Sequence, residues 1–179
     1  MRRAFRGLAA LVALAAVLFG QSGAAWAAGD FLTDVGAAAP PFSEPTAGGR
    51  FDTQTSGKPY VLELFAVWCP HCKAMVPVLN RLQAAYGDKL DIIAVPASPL
   101  SFDHQSPLTA ADIPAYVRDN GVTFRIGFDG TFAVPSAYGL KQFPTIYFVG
   151  ADRHVKVVEE GEVPYDELAF DAAEVLRAP

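Results

Sequence analysis

The sequence predicts an α/β fold, a central mixed sheet flanked by helices, and three features carry that expectation. Residues 60–67 form an apolar run broken only by Glu63, the pattern of a strand covered on both faces. From 70 to 86 the residues Met75, Val78, Leu79, Leu82 and Tyr86 recur at intervals of three and four, the period of an amphipathic helix. A second apolar run at 90–95 follows, and strand, helix, strand in that order implies a right-handed parallel crossover.

The elements follow in chain order. Arg2, Arg3 and Arg6 precede an apolar stretch from Leu8 to Phe19, and a small-residue segment then ends at Ala25-Trp26-Ala27. This layout predicts a secretory signal peptide over 1–27, cleaved after Ala27. The alternative is a retained N-terminal anchor, because no charge falls between Arg6 and Asp30. Residues 28–58, rich in Gly, Ala, Pro and Ser, read as an extended lead-in with one short hairpin, in which Phe42 and Phe51 tuck under an edge. The remaining domain, 59–179, begins with the central strand and the 70–86 helix, which Gly87 ends.

After the 90–95 strand comes a Pro- and Ser-rich loop over 96–108. Thr109 with Asp112 resembles a capping box for a helix carrying Ile113, Tyr116 and Val117, stopped by Asn120-Gly121. Alternation over 122–128 predicts a third strand, followed by a short helix over 135–141. Strands at 145–149 and 155–158 are joined by the turn Gly150-Ala151-Asp152, and Pro164 opens a last helix along Leu168, Ala172, Val175 and Leu176.

At 179 residues the chain is long enough for one globular domain. With 51% apolar and 18% charged residues it has the material for a packed core and too little charge for disorder. Loss of residues 1–27 removes three arginines and no acids, leaving 11 basic against 19 acidic residues and a charge of −8. So acidic a domain does not hold nucleic acid by charge. The one acidic cluster, Glu159-Glu160-Gly161-Glu162, reads as solvated surface.

Cys69 and Cys72, the only cysteines, stand in Trp68-Cys69-Pro70-His71-Cys72, where the central strand gives way to a helix. A Cys at a helix start meets unpaired backbone N–H groups and the positive end of the dipole, which favour thiolate, so Cys69 is the candidate nucleophile. Cys72, nearly one turn on, lies on the same face, close enough for a disulfide and deeper, and is the candidate resolving thiol. A stabilising staple is a poor reason for this spacing, since so short a loop removes little unfolded-state entropy. A four-cysteine zinc site is impossible, and a metal site needs further ligands from His71, His104 and His154, the last two in unrelated segments. No metal and no bound cofactor is expected, although two thiolates also suit Cu(I).

With these residues the chain resembles the thioredoxin-like superfamily, most closely at Val61-Leu62-Glu63-Leu64-Phe65-Ala66-Val67 and the Trp-Cys-Pro-His-Cys that follows. The Cys-Pro-His-Cys centre, with Glu63 six residues before Cys69, is similar to the bacterial DsbA-type disulfide oxidants. The overall layout resembles the exported TlpA and ResA-like thiol-disulfide oxidoreductases, in Ala39-Pro40-Pro41-Phe42, Gly57-Lys58-Pro59 and Tyr138-Gly139-Leu140 ahead of Phe143-Pro144-Thr145. The likeness spans roughly 35–177.

The resemblance implies a thioredoxin-like fold and a role for each matched position. Pro144 matches a cis-proline that lies against the active-site disulfide and, with its neighbours Phe143 and Thr145, presents backbone to a bound thiol substrate. A simple strand-entry proline is the alternative. Pro77 matches a helix-kinking proline. Glu63 matches an acid that relays the proton of the buried cysteine, so it is a candidate general base toward Cys72 with a raised pKa. The alternative places it at an edge, paired with Lys58 or Lys73. TlpA-like proteins often carry a neutral residue there. His71, next to Pro70, is placed to stabilise the Cys69 thiolate, which makes the disulfide more oxidising, or is only an exposed helix residue. Trp68 and Phe143 are placed to form an apolar rim around the sulfurs for partner docking, the alternative being that either is only a core aromatic.

The expected activity is extracytoplasmic, periplasmic thiol-disulfide exchange with cysteine-containing exported proteins. The layout favours a reductant, as in cytochrome c or metal-site assembly, re-reduced by a membrane redox partner; the Pro70-His71 pair favours a DsbA-like oxidant. A copper-binding assembly factor without turnover is the alternative of another class. A peroxidase is disfavoured because no cysteine outside the pair could react with peroxide.

Overall fold

The computed structural model describes residues 33–128 and 130–177. The leader or anchor predicted at 1–27 lies outside them, and among the described residues no helix is long and apolar enough to cross a membrane. In chain order the elements are β1 (Ser43–Thr46), β2 (Gly49–Asp52), β3 (Tyr60–Phe65), α1 (Pro70–Tyr86), β4 (Asp91–Pro96), α2 (Asp112–Asn120), β5 (Arg125–Ile126), α3 (Ala133–Tyr138), β6 (Thr145–Val149), β7 (Val155–Glu160) and α4 (Tyr165–Arg177).

Five strands form a mixed sheet in the order β5-β4-β3-β6-β7. β3 pairs parallel with β4 and antiparallel with β6, so all six of its residues are buried, as the apolar run requires. Alternation along β3 divides the core. Val61 and Phe65 face α1, α2 and α4 in one cluster with Met75, Leu79, Tyr116 and Leu168, whereas Tyr60, Leu62 and Leu64 face the hairpin β1-β2 and α3. On that second face Phe42 and Phe51 pack on Tyr60, and the Tyr60 and Tyr138 hydroxyls lie 2.6 Å apart, so both buried phenols are hydrogen-bonded.

Three expectations are corrected. The third strand, expected over 122–128, is only Arg125–Ile126. Val122, Phe124 and Ile126 are buried at alternate positions, but after Gly127, whose N–H still bonds to Ala94 O at 2.9 Å, the backbone leaves β4: Phe128 N–H bonds to Pro45 O at 3.2 Å, on β1. Gly127 permits this crossing because a Cβ there would stand 2.6 Å from Glu44 Cβ. The short helix runs from Ala133 to Tyr138, not over 135–141, because Phe132 adopts a left-handed conformation at its start (φ 54) and Gly139 ends it. At α2 only half of the capping box forms: Asp112 Oδ2 accepts from Thr109 N–H (2.7 Å) and from the Thr109 hydroxyl (2.9 Å), and the helix begins at Asp112 itself.

Candidate active site

β3 ends at Phe65, and the chain turns so that Cys69 N–H bonds to Ala66 O at 3.0 Å. Cys69 is the N-cap of α1, extended at φ −74 and ψ 122, with Pro70 in the first turn, where its missing N–H costs nothing. No side chain caps this end, so unpaired N–H groups and the positive end of the dipole lie at Cys69. Pro77 lies inside the same helix.

Cys69 is 3% exposed and Cys72 wholly buried, their side chains share a hydrogen bond, and no disulfide joins them in this structure. Burial first, and then the charge of Glu63, push the Cys72 thiol far up; a hydrogen bond with the Ala66 backbone opposes them. Cys72 therefore keeps its proton until a base removes it.

Glu63 stands at the middle of β3, opposite Ala94 and Ile146, on the face that α1 covers. It is 2% exposed, and its Oε1 has no hydrogen-bond partner among the described residues. Burial pushes its carboxyl from 4.5 up to about 8. The edge placement, with a pairing to Lys58 or Lys73, is thereby overturned: β3 is the central strand, and among the described residues no ion pair reaches Glu63. Tyr116 of α2, read in the sequence as a core residue only, packs on Phe65 (5.0 Å between centroids). After burial, the charges of Glu63, Cys72 and Cys69 raise its hydroxyl, so it borders the same buried group. Its one sequence signal is a phenol where an apolar side chain would serve.

The rim is aromatic. The Phe143–Pro144 bond is cis, Pro144 is buried, and Pro144 O accepts from Gly161 N–H at 2.8 Å. Trp68 meets Phe143 edge to face at 5.6 Å, and its Nε1–H donates to Ser98 Oγ at 2.9 Å. Thr145, fully buried, donates to Gln142 O at 2.8 Å. Two further contacts bring in side chains that the sequence reading left out of the site. His71 Nδ1 lies 2.5 Å from Glu162 Oε1, which brings one member of the acidic cluster to the site, and the ring of His104 stacks on Trp68 at 4.6 Å. Among the described residues no group of three His, Cys, Asp or Glu is arranged to hold a metal ion. An apolar cavity of about 500 Å³, lined in part by Pro40, Phe42, Val134 and Tyr138, lies across the sheet from the cysteines.

Residues 34–176 match the Redoxin family. The thiol-disulfide oxidoreductase ResA of Oceanobacillus iheyensis is 28% identical over 141 residues, 75% of this chain and 69% of that protein. The thioredoxin-like protein YneN of Bacillus subtilis is 25% identical over 135 residues, 74% of this chain and 75% of that protein. Among solved structures, a thiol:disulfide interchange protein described as DsbE from Chlorobium tepidum superposes with a TM-score of 0.68 at 25% identity, over 82% of this chain and 99% of that one.

Proposed function

Because the chain belongs to the Redoxin family and is a thioredoxin-like thiol-disulfide oxidoreductase, we propose that it reduces disulfides of exported, cysteine-containing proteins outside the cytoplasm. The observation that carries this reading is the pair of contrasting thiols at the start of α1. Cys69 lies at the uncapped helix end, and Cys72 lies buried above Glu63. The reduced protein attacks through the Cys69 thiolate, which bonds to one sulfur of the partner disulfide while the other leaves as a thiolate. Glu63 then takes the Cys72 proton, Cys72 attacks Cys69 Sγ, and the partner departs carrying both electrons as a dithiol. The protein is left as its Cys69–Cys72 disulfide.

The leader-like segment at 1–27 supports export, and re-reduction then falls to a membrane redox partner. The TlpA- and ResA-like layout of the sequence favours substrates such as apocytochromes awaiting haem or proteins with copper-site cysteines. The reduction potential of the pair, equilibrated against glutathione, tests the direction. A value near thioredoxin's, about −270 mV, is expected, and one near about −120 mV would make the protein an oxidant.

A further inference from the structure

The loop joining β4 to α2 is built around Asp103. Its Oδ1 accepts from the N–H groups of Gln105 (2.9 Å) and Ser106 (2.8 Å), and its Oδ2 accepts from the Ser106 hydroxyl (2.6 Å). Ser101 N–H bonds to Ser106 O at 2.8 Å and His104 N–H to Ser101 O at 3.1 Å, which closes the turn. His104 at its tip has φ 59, a left-handed conformation uncommon outside glycine but among those that histidine adopts most readily, and the turn around Asp103 fixes it here.

That conformation lays the imidazole on the Trp68 indole, 4.6 Å between centroids at 39°. Ser98, at the root of the same loop, holds the indole N–H. Phe143, Trp68 and His104 thus form one aromatic shelf running outward from Cys69 and the cis-proline, with Phe102 exposed beside His104. His104 is exposed, and among the described residues neither of its ring nitrogens has a hydrogen-bond partner. It is the one ring of the three whose polar atoms are free to meet a ligand.

We propose that His104 is a specificity-determining residue of the disulfide exchange: it extends the Trp68 shelf and hydrogen-bonds the main chain of an extended polypeptide flanking the reacting cysteine, favouring protein disulfides over small ones. This rests on the exchange activity proposed above. The full chain carrying Trp26→Phe, which leaves Trp68 as its single indole, is assayed for reduction of insulin and of oxidised glutathione, with dithiothreitol as electron source. His104→Asn keeps a residue that tolerates positive φ but removes the ring. It is expected to lower the insulin-to-glutathione ratio of kcat/KM about tenfold, through KM for insulin, and to change Trp68 emission. Asp103→Ala, which frees the loop, lowers the same ratio. An undiminished ratio in His104→Asn, or an equal fall on both substrates, overturns the role of His104 while the parent protein still turns over both. A parent protein that reduces neither disulfide overturns the exchange reading, and this inference with it.

Discussion

Glu63 and Cys72 share the buried space between β3 and α1, and the charge of Glu63 raises a thiol that burial has already raised. Neither group ionises cheaply there, so the proton of Cys72 is best passed to an ionised Glu63 rather than released, and it is above about pH 8 that the two carry one negative charge between them.

The resolving step should therefore depend on the Glu63 carboxylate, whose population grows as pH rises through about 8. Rapid-mixing measurements of mixed-disulfide resolution between pH 6 and 9 should show the rate climbing through that range. Glu63→Gln should slow the step on the order of a hundredfold and remove this part of the pH dependence. An identical profile in the variant rules out a relay through Glu63.

Stability should show the opposite trend. The folded Glu63 holds its proton up to about pH 8, the unfolded one only to 4.5. Stability from the neutral buried acid is thus complete below pH 4.5, falls as pH rises, and is lost above about 8. The loss is on the order of 5 kcal/mol. Glu63→Gln, which cannot ionise, should melt below the wild type at pH 5, where its amide lacks a partner, and above it at pH 9. Parallel melting curves at the two pH values would contradict a buried ionisable Glu63.

The burial of Glu63 was legible because the apolar run around it fits only a central strand, and α1 was legible from its spacing of three and four. β5 was not. Val122, Phe124 and Ile126 alternate because each faces the core, but only two residues make ladder pairs, and a hydropathy pattern does not distinguish the cases. The left-handed Phe132 that starts α3 early carries no glycine to mark it. Within the site, the cysteine spacing is local in the sequence, and Trp68 and Phe143 were each legible as the neighbour of a matched residue, Cys69 and Pro144. His104 and Glu162 reach the site through loops whose course depends on the Asp103 turn and on the end of β7. Such contacts depend on tertiary placement and leave no local pattern.

The edge of the sheet offers a test independent of redox chemistry. Arg125 Nη1 lies 2.7 Å from Asp91 Oδ1 and ties β5 to β4; the Asp91 side chain is 8% exposed and that of Arg125 47%. Removing the arginine leaves a nearly buried carboxylate unpaired, so Arg125→Ala should cost about 1–2 kcal/mol in urea unfolding. Asp91→Asn with Arg125→Ala should recover part of that loss, because no unpaired charge then remains. A double variant as unstable as the sum of the two singles would show that the pair does not couple.

The two cysteines should fail in different ways when replaced. Cys69→Ser removes the attacking sulfur at the uncapped start of α1, so insulin reduction should fall to the background of dithiothreitol alone. Cys72→Ser leaves that attack intact and removes only the buried thiol that releases the partner. Its mixed disulfides should persist through non-reducing electrophoresis after alkylation and disappear when dithiothreitol is added. The contrast depends on order of reaction, since a protein that began at Cys72 would show the reverse pattern, with Cys69→Ser accumulating the adducts. Burial argues against that reversal, because a partner sulfur would have to enter the core beside Glu63 to reach Cys72. Adduct formation by Cys69→Ser and none by Cys72→Ser would therefore overturn the assignment of nucleophile and resolving thiol together.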